Sequence, residues 1–499
     1  MRATRPALPT QGPTAKETPL FVPRSHQIIA RDMILAARAS GRPGFLLGDL
    51  TGLGKTLSAW LAIAAMPEDD ILIVCPKGGM PQWRRTIAHA GTLTKNVTLI
   101  NYERSKSLLA PPSASAKRSV RAKNNELAKH GRPRRVWPIV VFDESHRIRN
   151  PNSQQGMACR QMAEAATFTI YMSATAGQSP HELSYLGRLL SHAAGSTAGR
   201  LDTSGTLDGF RGLMKQLGIG KARGRWKNWS WAPNERDRAL MADLLYKGHG
   251  AIGLRRRPGD IAGWPEVQRE LAPVALDAPA RRLYDTSWRT FRTELGLAGG
   301  SVRTPAGRVA ELRFRQKASL LRVPGTTDFA ETLLDTGDQV AMSVAFLETS
   351  AALVAAIAAR GWRCAAINGG QSGEANEAVR VAFQRGELDV VVFTVTESIS
   401  LHQHEMEGGQ RPRELIIHDM RHSAIQLQQI EGRCHRNGQR ALIHYAFAED
   451  TVEEAVTTRV VNRMAAMDGM AGDDIAMFED IVEMMWAKTR IAVSQPSSS

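Results

Sequence analysis

Short apolar runs alternate with longer segments of helical periodicity, and this alternation occurs twice along the chain. The first set predicts strands at Phe45–Gly48, Ile71–Cys75, Val97–Ile100, Ile139–Phe142 and Thr167–Met172. The second set predicts strands at Val340–Ala345, Arg363–Ile367, Val390–Thr394, Leu415–His418 and Ile443–Phe447. Strands that alternate with helices are typical of parallel sheets covered by helices on both faces. Two such sets predict an α/β fold with two doubly wound lobes.

The helical segments lie between and after these strands. Leu57–Met66, Leu347–Arg360 and Glu374–Gln384 have helical spacing of their apolar residues. Residues 176–335, between the two sets, are mainly helical and more polar, and Val452–Ile491 has helical, Met-rich spacing. The pattern therefore predicts helical protrusions between the lobes and a helical C-terminal extension.

The charge of the chain favours a polyanionic partner. The formal net charge is +15 and the pI is about 10.0, and such an excess most often serves nucleic-acid binding. No apolar run approaches the roughly 20 residues that span a bilayer. The Pro- and Thr-rich start of the chain lacks the apolar stretch of a secretory signal. We therefore expect an intracellular protein with no membrane association.

A glycine-rich segment, GDLTGLGKT, follows the first predicted strand and opens a helix. Gly52 and Gly54 allow backbone N–H groups to surround phosphate oxygens at the helix N-terminus. Lys55 is expected to contact the β- and γ-phosphates of ATP, and Thr56 to hold Mg²⁺. The strict phosphate-loop pattern has glycine where Asp49 stands, so an ordinary glycine-rich turn is the alternative.

Two carboxylates end the predicted strand PIVVF. At this position Asp143 would bind Mg²⁺, and Glu144 would polarise the water that attacks ATP. The alternative is a solvated acidic turn after a strand. The phosphate loop upstream favours the catalytic interpretation, because both segments end strands of one predicted sheet.

Several segments resemble, in order, the motifs of Swi/Snf-like ATPases of helicase superfamily two, which carry a DEAH-type acidic box. The resembling segments are Arg24–Gln27 (adenine-reading segment), Asp49–Thr56 (motif I), Cys75–Lys77 with Gln82–Trp83 (motif Ia), Asn101–Glu103 (motif Ib), Asp143–Asn150 (motif II), Ser173–Thr175 (motif III), Leu254–Arg256 with Pro265 (inter-lobe linker) and Gln429–Gln439 (motif VI). Motif VI and the RIRN that follows the acidic box are the most specific.

The resemblance implies two RecA-like lobes, with ATP and Mg²⁺ bound between them and nucleic acid lying across both. It implies nucleotide contacts from Gln27 and Gln429. It also implies that Arg433 and Arg436, three residues apart on one helical face, reach the phosphates from the second lobe.

The expected nucleic-acid contacts fall in three places. The resemblance implies Lys77 of motif Ia and Thr394 of motif V, although the motif V segment TVTESISL has serines and a glutamate where the family usually has glycines. A basic insertion before the acidic box, residues 116–135, includes Arg132, Arg134 and Arg135. We expect it either to extend the nucleic-acid track or to form a solvated loop.

The expected domain organisation follows from the motifs. It comprises a flexible arm (1–21), lobe one with a helical protrusion (22–270), a linker with a second protrusion (271–335), lobe two (336–465) and a C-terminal helical brace with its tail (466–499). The chain is thus predicted to be a nucleic-acid-dependent ATPase, with double-stranded DNA favoured as its partner and translocation as its activity. Alternatives are a strand-separating DNA or RNA helicase and a non-catalytic nucleic-acid-binding scaffold. The predicted location is the cytoplasm or nucleoid of a bacterial or phage-infected cell.

Overall fold

The computed structural model describes residues 22–468 with gaps. The segments outside the description are 1–21, 90–94, 111–130, 175, 178–179, 194–209, 211–212, 215–216, 220, 224–227, 231–234, 249, 298, 300, 303, 395–398, 407–408, 422–423, 437 and 469–499. The predicted N-terminal arm, most of the basic insertion, the centre of motif V and the C-terminal tail lie outside the described residues.

The first sheet has six parallel strands. They are β1 (Gly44–Leu47), β2 (Asp70–Cys75), β3 (Asn96–Asn101), β6 (Ile139–Asp143), β7 (Phe168–Met172) and β10 (Gly253–Leu254), in the spatial order β10-β1-β7-β6-β2-β3. Two short hairpins lie outside it, formed by β4 (Leu109–Ala110) with β5 (Arg132–Pro133) and β8 (Lys221–Arg223) with β9 (Asn228–Ser230).

The second sheet also has six parallel strands. They are β11 (Gln268–Val274), β12 (Gln339–Ser343), β13 (Cys364–Ile367), β14 (Val390–Phe393), β15 (Arg413–Ile417) and β16 (Ala441–Ala448), in the order β11-β16-β15-β12-β14-β13. All ten strands predicted from the sequence are present in these two sheets. The predicted α/β fold with two doubly wound lobes is confirmed.

Helices cover both sheets. They are α1 (Ser25–Ala39), α2 (Lys55–Ala65), α3 (Met80–His89), α4 (Gln154–Ala165), α5 (Gly187–Ala193), α6 (Glu235–Ala242), α7 (Ala278–Leu297), α8 (Pro305–Leu321), α9 (Val323–Asp335), α10 (Leu347–Ala359), α11 (Gly373–Gln384), α12 (Ala424–Cys434) and α13 (Val452–Asp468). No helix among the described residues has the length and apolar character needed to cross a membrane.

Each sheet separates two apolar cores, which explains the apolar runs in its central strands. In β2, Ile71 and Ile73 face one core while Leu72 and Val74 face the other. The β14 residues are divided in the same alternating way between the two cores of the second lobe. Successive strand residues point to opposite faces, so a strand buried on both faces must be apolar throughout.

The start of the second lobe differs from the prediction. Residues 271–335 were assigned to a linker and a protrusion, yet Gln268–Val274 pairs along its whole length with β16. The strand lies at the edge of the sheet, and Gln268, Glu270 and Leu271 are exposed. An edge strand with a polar, solvent-facing side lacks the apolar run that identified the other strands.

A helical hairpin, formed by α7 and α8, projects from the second lobe. Its inner face is aromatic: Trp288, Phe291 and Phe314 lie with ring centroids 5.2–5.4 Å apart. Tyr284 packs edge-on against Phe314 at 5.6 Å. These contacts hold the two helices together as one rigid protrusion.

Candidate active site

The phosphate loop connects the carboxyl end of β1 to α2, which begins at Lys55. Gly52 and Gly54 have φ angles of 94° and 78°, a left-handed conformation that residues with a Cβ rarely adopt. Gly54 lies directly against Gln27, since a Cβ at Gly54 would clash with the Gln27 amide. The loop thus has the curled backbone and the helix N-terminus that bind phosphate.

Lys55 and Thr56 begin α2 at the opening of this loop. The Lys55 ammonium donates a hydrogen bond to the Asp49 carbonyl oxygen at 2.7 Å. Burial lowers its pKa, while the charges of Glu144, Asp49 and Asp143 oppose that shift. The Thr56 hydroxyl accepts a hydrogen bond from the Gln82 amide at 3.2 Å. A buried ammonium beside a curled loop is suited to bind the phosphates of ATP.

Asp49, the residue that departs from the strict phosphate-loop pattern, has a structural partner. Its side chain is fully buried and accepts hydrogen bonds from the Arg256 backbone N–H at 2.9 Å and Nε at 3.1 Å, with a further bond from the guanidinium. Arg256 also donates to the His26 carbonyl oxygen at 2.6 Å. The pair ties the inter-lobe linker to the base of the phosphate loop, a role that sequence reasoning missed.

The acidic pair ends β6, next to the phosphate loop. The Asp143 carboxylate accepts a hydrogen bond from Trp83 Nε1 at 2.8 Å, and its carbonyl oxygen accepts one from the Tyr102 hydroxyl at 2.7 Å. Burial and the neighbouring charge of Glu144 raise the pKa of Asp143. Motifs Ia and Ib, which contain Trp83 and Tyr102, therefore hold the motif II carboxylate in place.

Glu144 follows with an unusual backbone. Its φ of 53° is left-handed, which costs about 1–2 kcal/mol for a residue with a Cβ. Its carboxylate lies 3.3 Å from His146 Nδ1, which also lies 3.1 Å from the Ser173 hydroxyl of motif III. Burial favours a raised pKa of Glu144, but the interactions with His146 and Lys55 outweigh burial and lower it. The charged form of Glu144 is therefore favoured by His146 and Lys55.

The motif VI segment brings two arginines from the second lobe: Arg433 lies in the last turn of α12, and Arg436 lies beyond the end of that helix at Cys434, where it bridges to Gln439. The two arginines therefore do not share one helical face, which corrects the expectation. Arg433 is buried and donates to the Ile399 carbonyl oxygen at 3.1 Å. Its charge helps to lower the pKa of Glu144. Burial lowers the pKa of Arg436, and the charges of Glu405 and Asp143 oppose that shift. Both cations thus lie close enough to the acidic pair of lobe one to influence its charge.

The two lobes meet at glycines. A Cβ at Gly52 would lie 3.6 Å from the Arg436 Cα, and a Cβ at Gly432 would lie 2.7 Å from Thr51 Cγ2. The motif VI helix therefore packs directly on the phosphate loop. The expected catalytic residues of both lobes converge at this contact.

The expected nucleotide contacts Gln27 and Gln429 are both buried, at 4% and 5% exposure. Gln27 Oε1 accepts a hydrogen bond from the Arg24 backbone N–H at 3.0 Å, and its amide nitrogen lies 3.4 Å from the Leu53 carbonyl oxygen. Gln27 thus braces the phosphate loop from α1. Gln429 lies on α12, on the helix that carries Arg433.

The expected nucleic-acid contacts Lys77 and Thr394 occupy equivalent places in the two lobes. Lys77 follows β2 and is exposed, and Thr394 follows β14 and is partly exposed. Each therefore lies at the carboxyl edge of a parallel sheet. Side chains at these two edges can face one ligand that lies across both lobes.

The described arginines of the basic insertion lie away from the carboxyl edges of the two sheets. Arg135 forms an ion pair with Asp70, the first residue of β2, and Arg134 Nε donates to the Leu109 carbonyl oxygen at 3.1 Å. Arg132 is exposed on β5. The Asp70 contact puts Arg135 at the amino edge of the first sheet, opposite Asp143. This placement favours the alternative to a nucleic-acid track, namely that these residues serve the local structure and its solvation.

Comparison with known proteins finds a family model that matches part of the chain. Residues 26–182, which contain the phosphate loop and the acidic pair, match the family model described as the SNF2-related domain. This segment of the chain is similar to the SNF2-related domain.

Two relatives illustrate the range of the similarity. A putative ATP-dependent RNA helicase of Acanthamoeba polyphaga mimivirus is 21% identical over 448 residues, covering 84% of this chain and 79% of that protein. A SWI/SNF-related matrix-associated actin-dependent regulator of chromatin subfamily A-like protein 1 homolog of Caenorhabditis elegans is 25% identical over 178 residues, covering 35% of this chain and 25% of that protein.

A solved structure, the Sulfolobus solfataricus SWI2/SNF2 ATPase core in complex with dsDNA, aligns with 15% identity and a TM-score of 0.36, covering 94% of this chain and 96% of that one.

The residues present fit Mg²⁺ bound together with ATP. Among the described residues, no group of three or more His, Cys, Asp or Glu side chains could hold a metal ion alone. Thr56 and Asp143 supply one hydroxyl and one carboxylate, which is the sparse protein ligand set typical of Mg²⁺ held jointly with nucleotide phosphates.

Proposed function

We propose that this chain is a nucleic-acid-stimulated ATPase that translocates on double-stranded DNA. The observation that carries the proposal is the convergence of Lys55, Asp143 and Glu144 of lobe one with Arg433 and Arg436 of lobe two. Phosphoryl transfer is catalysed almost entirely by positioning and charge stabilisation. Cations from one lobe that face carboxylates of the other meet that requirement only when the lobes are closed.

Each residue has a distinct role in the proposed hydrolysis. Lys55 binds the β- and γ-phosphates, and the Glu144 carboxylate orients and polarises the attacking water. Arg433 and Arg436 stabilise the charge that develops on the transferred phosphoryl group. Thr56 and Asp143 would hold Mg²⁺, which would neutralise phosphate charge when bound with ATP.

Coupling to nucleic acid follows from the same geometry. Lys77 and Thr394 lie on different lobes. When the cleft opens or closes, a nucleic-acid strand that is bound to both must therefore move relative to one of the two lobes. The hydrogen bonds of Trp83 and Tyr102 to Asp143 link motifs Ia and Ib to the ATP site. We infer that nucleic acid bound at motif Ia steadies the acidic pair and thereby stimulates turnover.

Duplex DNA is the proposed activator because the chain is strongly basic and Swi/Snf-like. A second candidate, a strand-separating RNA or DNA helicase, is supported by the name of the mimiviral relative. The deciding experiment measures ATP turnover with duplex DNA, single-stranded DNA and RNA of equal length, over a range of salt concentrations. We expect duplex DNA to stimulate at least as well as single strands. Stimulation by RNA alone would favour the second candidate.

A further inference from the structure

The α7–α8 hairpin projects from a functional edge of the second lobe. Helix α7 begins just after the carboxyl end of β11, and α8 ends beside the residues that follow β15: Ser319 donates to the Asp419 carboxylate at 3.0 Å, and Arg315 donates to the Met420 carbonyl oxygen. Thr394 follows β14 in the same parallel sheet. The hairpin therefore extends from the edge at which Thr394 is expected to contact nucleic acid.

The hairpin carries an excess of positive charge. Residues 278–321 contain nine Arg and Lys against three Asp and Glu. Each acid faces an arginine of the hairpin itself: Asp285 lies 3.2 Å from Arg281, Glu294 lies 3.4 Å from Arg313, and Glu311 lies 3.7 Å from Arg315. The hairpin thus has six more cationic than acidic side chains.

Three of the remaining cations are exposed to solvent: Arg282, Arg289 and Lys317. Within the described part of the chain, Arg282 and Lys317 form no side-chain hydrogen bond or ion pair. Arg289 bonds only to the Asp285 carbonyl oxygen at 3.4 Å and to the Thr286 hydroxyl at 3.3 Å. These side chains have no structural role that would explain their charge.

The aromatic inner face of the hairpin gives these cations a fixed support. Arg282 and Arg289 are seven residues apart on one helix, which separates them by about 10 Å along its axis. Duplex DNA carries one negative charge per roughly 1.7 Å of its axis, so both cations can contact different phosphates of one duplex.

We propose that the α7–α8 hairpin is a second phosphate-binding surface for duplex nucleic acid, beside the contacts of Lys77 and Thr394. The proposal rests on the proposed function for the identity of its partner. Contacts of this kind carry no sequence preference. They add affinity and keep the duplex on the second lobe while the cleft opens.

The test compares two charge reversals of equal size. The first variant carries Arg282→Glu and Lys317→Glu on the hairpin. The control carries Arg132→Glu and Arg385→Glu. Arg132 lies on β5, near the amino edge of the first sheet, and Arg385 follows α11 on the approach to the amino end of β14. Duplex affinity is measured by fluorescence anisotropy from 50 to 200 mM salt, with thermal melting and nucleic-acid-free ATP turnover recorded for both variants.

We expect the slope of log K against log salt to fall by about 1.8 in the hairpin variant, or 0.9 per lost phosphate contact, which corresponds to a loss of about 60-fold in duplex affinity near 0.1 M salt. The control should stay within twofold of the wild type, and both variants should keep their melting temperature and basal turnover. Equal losses in the two variants would show a general effect of net charge and overturn the proposal, as would wild-type binding by the hairpin variant. A wild-type protein that binds no nucleic acid at all would instead overturn the proposed function.

Discussion

The buried pair of Asp49 and Arg256 makes a strong prediction, because removal of one partner leaves the other charged and buried. In Asp49→Ala, the Arg256 guanidinium, with a side chain only 13% exposed, loses every carboxylate contact described above. Breaking a buried ion pair in this way costs about 3–5 kcal/mol. Arg256 keeps its bond to the His26 carbonyl oxygen, so we expect the lower end, about 3 kcal/mol.

Thermal unfolding measures this loss. For a domain of roughly 150–250 residues, 1 kcal/mol shifts the melting temperature by about 2–4 °C, so Asp49→Ala should lower the transition of the first lobe by about 6–12 °C. Asp49→Asn keeps an acceptor oxygen, so it should lower the melting temperature by less than Asp49→Ala does. The control is Asp32→Ala, because Asp32 forms an exposed pair with Arg31, and such pairs contribute about 0–1 kcal/mol.

A double-mutant cycle separates the pair from its surroundings. If the pair acts as a unit, the double variant Asp49→Ala/Arg256→Ala should lose clearly less free energy of unfolding than the two single variants lose in sum. Losses below about 0.5 kcal/mol for each single variant, or strict additivity, would refute the reasoning. Asp49 would then have no structural reason to occupy a position where the strict phosphate loop has glycine.

The remaining predictions concern turnover. Lys55→Ala should weaken binding of a fluorescent ATP analogue, and retained affinity would remove Lys55 from the site. Glu144→Gln should still bind ATP but lose at least about 10²-fold in turnover; near-wild-type turnover would contradict the role of the base. Arg436→Ala should bind DNA normally yet lose about 10³-fold or more in stimulated turnover, and unchanged stimulation would end the arginine-finger assignment. Gly54→Ala, with a left-handed φ and Gln27 against it, should abolish ATP binding in equilibrium titrations; normal affinity would mean that the loop tolerates rearrangement.

The fold was predictable because its strands are buried on both faces. The Ile71–Cys75 run of β2 and the residues of β14 are apolar at every position, since each sheet separates two cores. The edge strand Gln268–Val274 was missed for the opposite reason, because its exposed side is polar. Pattern analysis detects apolar runs, so it identified the central strands and also the edge strands β3 and β13, but it missed the more polar edge strand β11.

The candidate site was predictable where a residue type is dictated by its ligand chemistry. A curled phosphate loop needs Gly52 and Gly54, and these could be named from sequence. The partner of Asp49 could not, because Arg256 follows 207 residues later and ion pairs leave no local pattern. The available sequence signal for such a partner was Asp49 itself, an acid where the strict phosphate loop has glycine, because a buried carboxylate requires a cation.

The contact between Gly432 and Thr51 has an evolutionary consequence. The motif VI helix approaches the phosphate loop so closely that a single methyl group at position 432 would meet the Thr51 side chain. Drift at either position is therefore constrained by the other: a larger residue at 432 requires a smaller one at 51, and the change at 51 must arise first or at the same time. Among homologues, these two positions should covary although they lie on different lobes, and a larger residue at 432 should occur only together with a smaller one at 51.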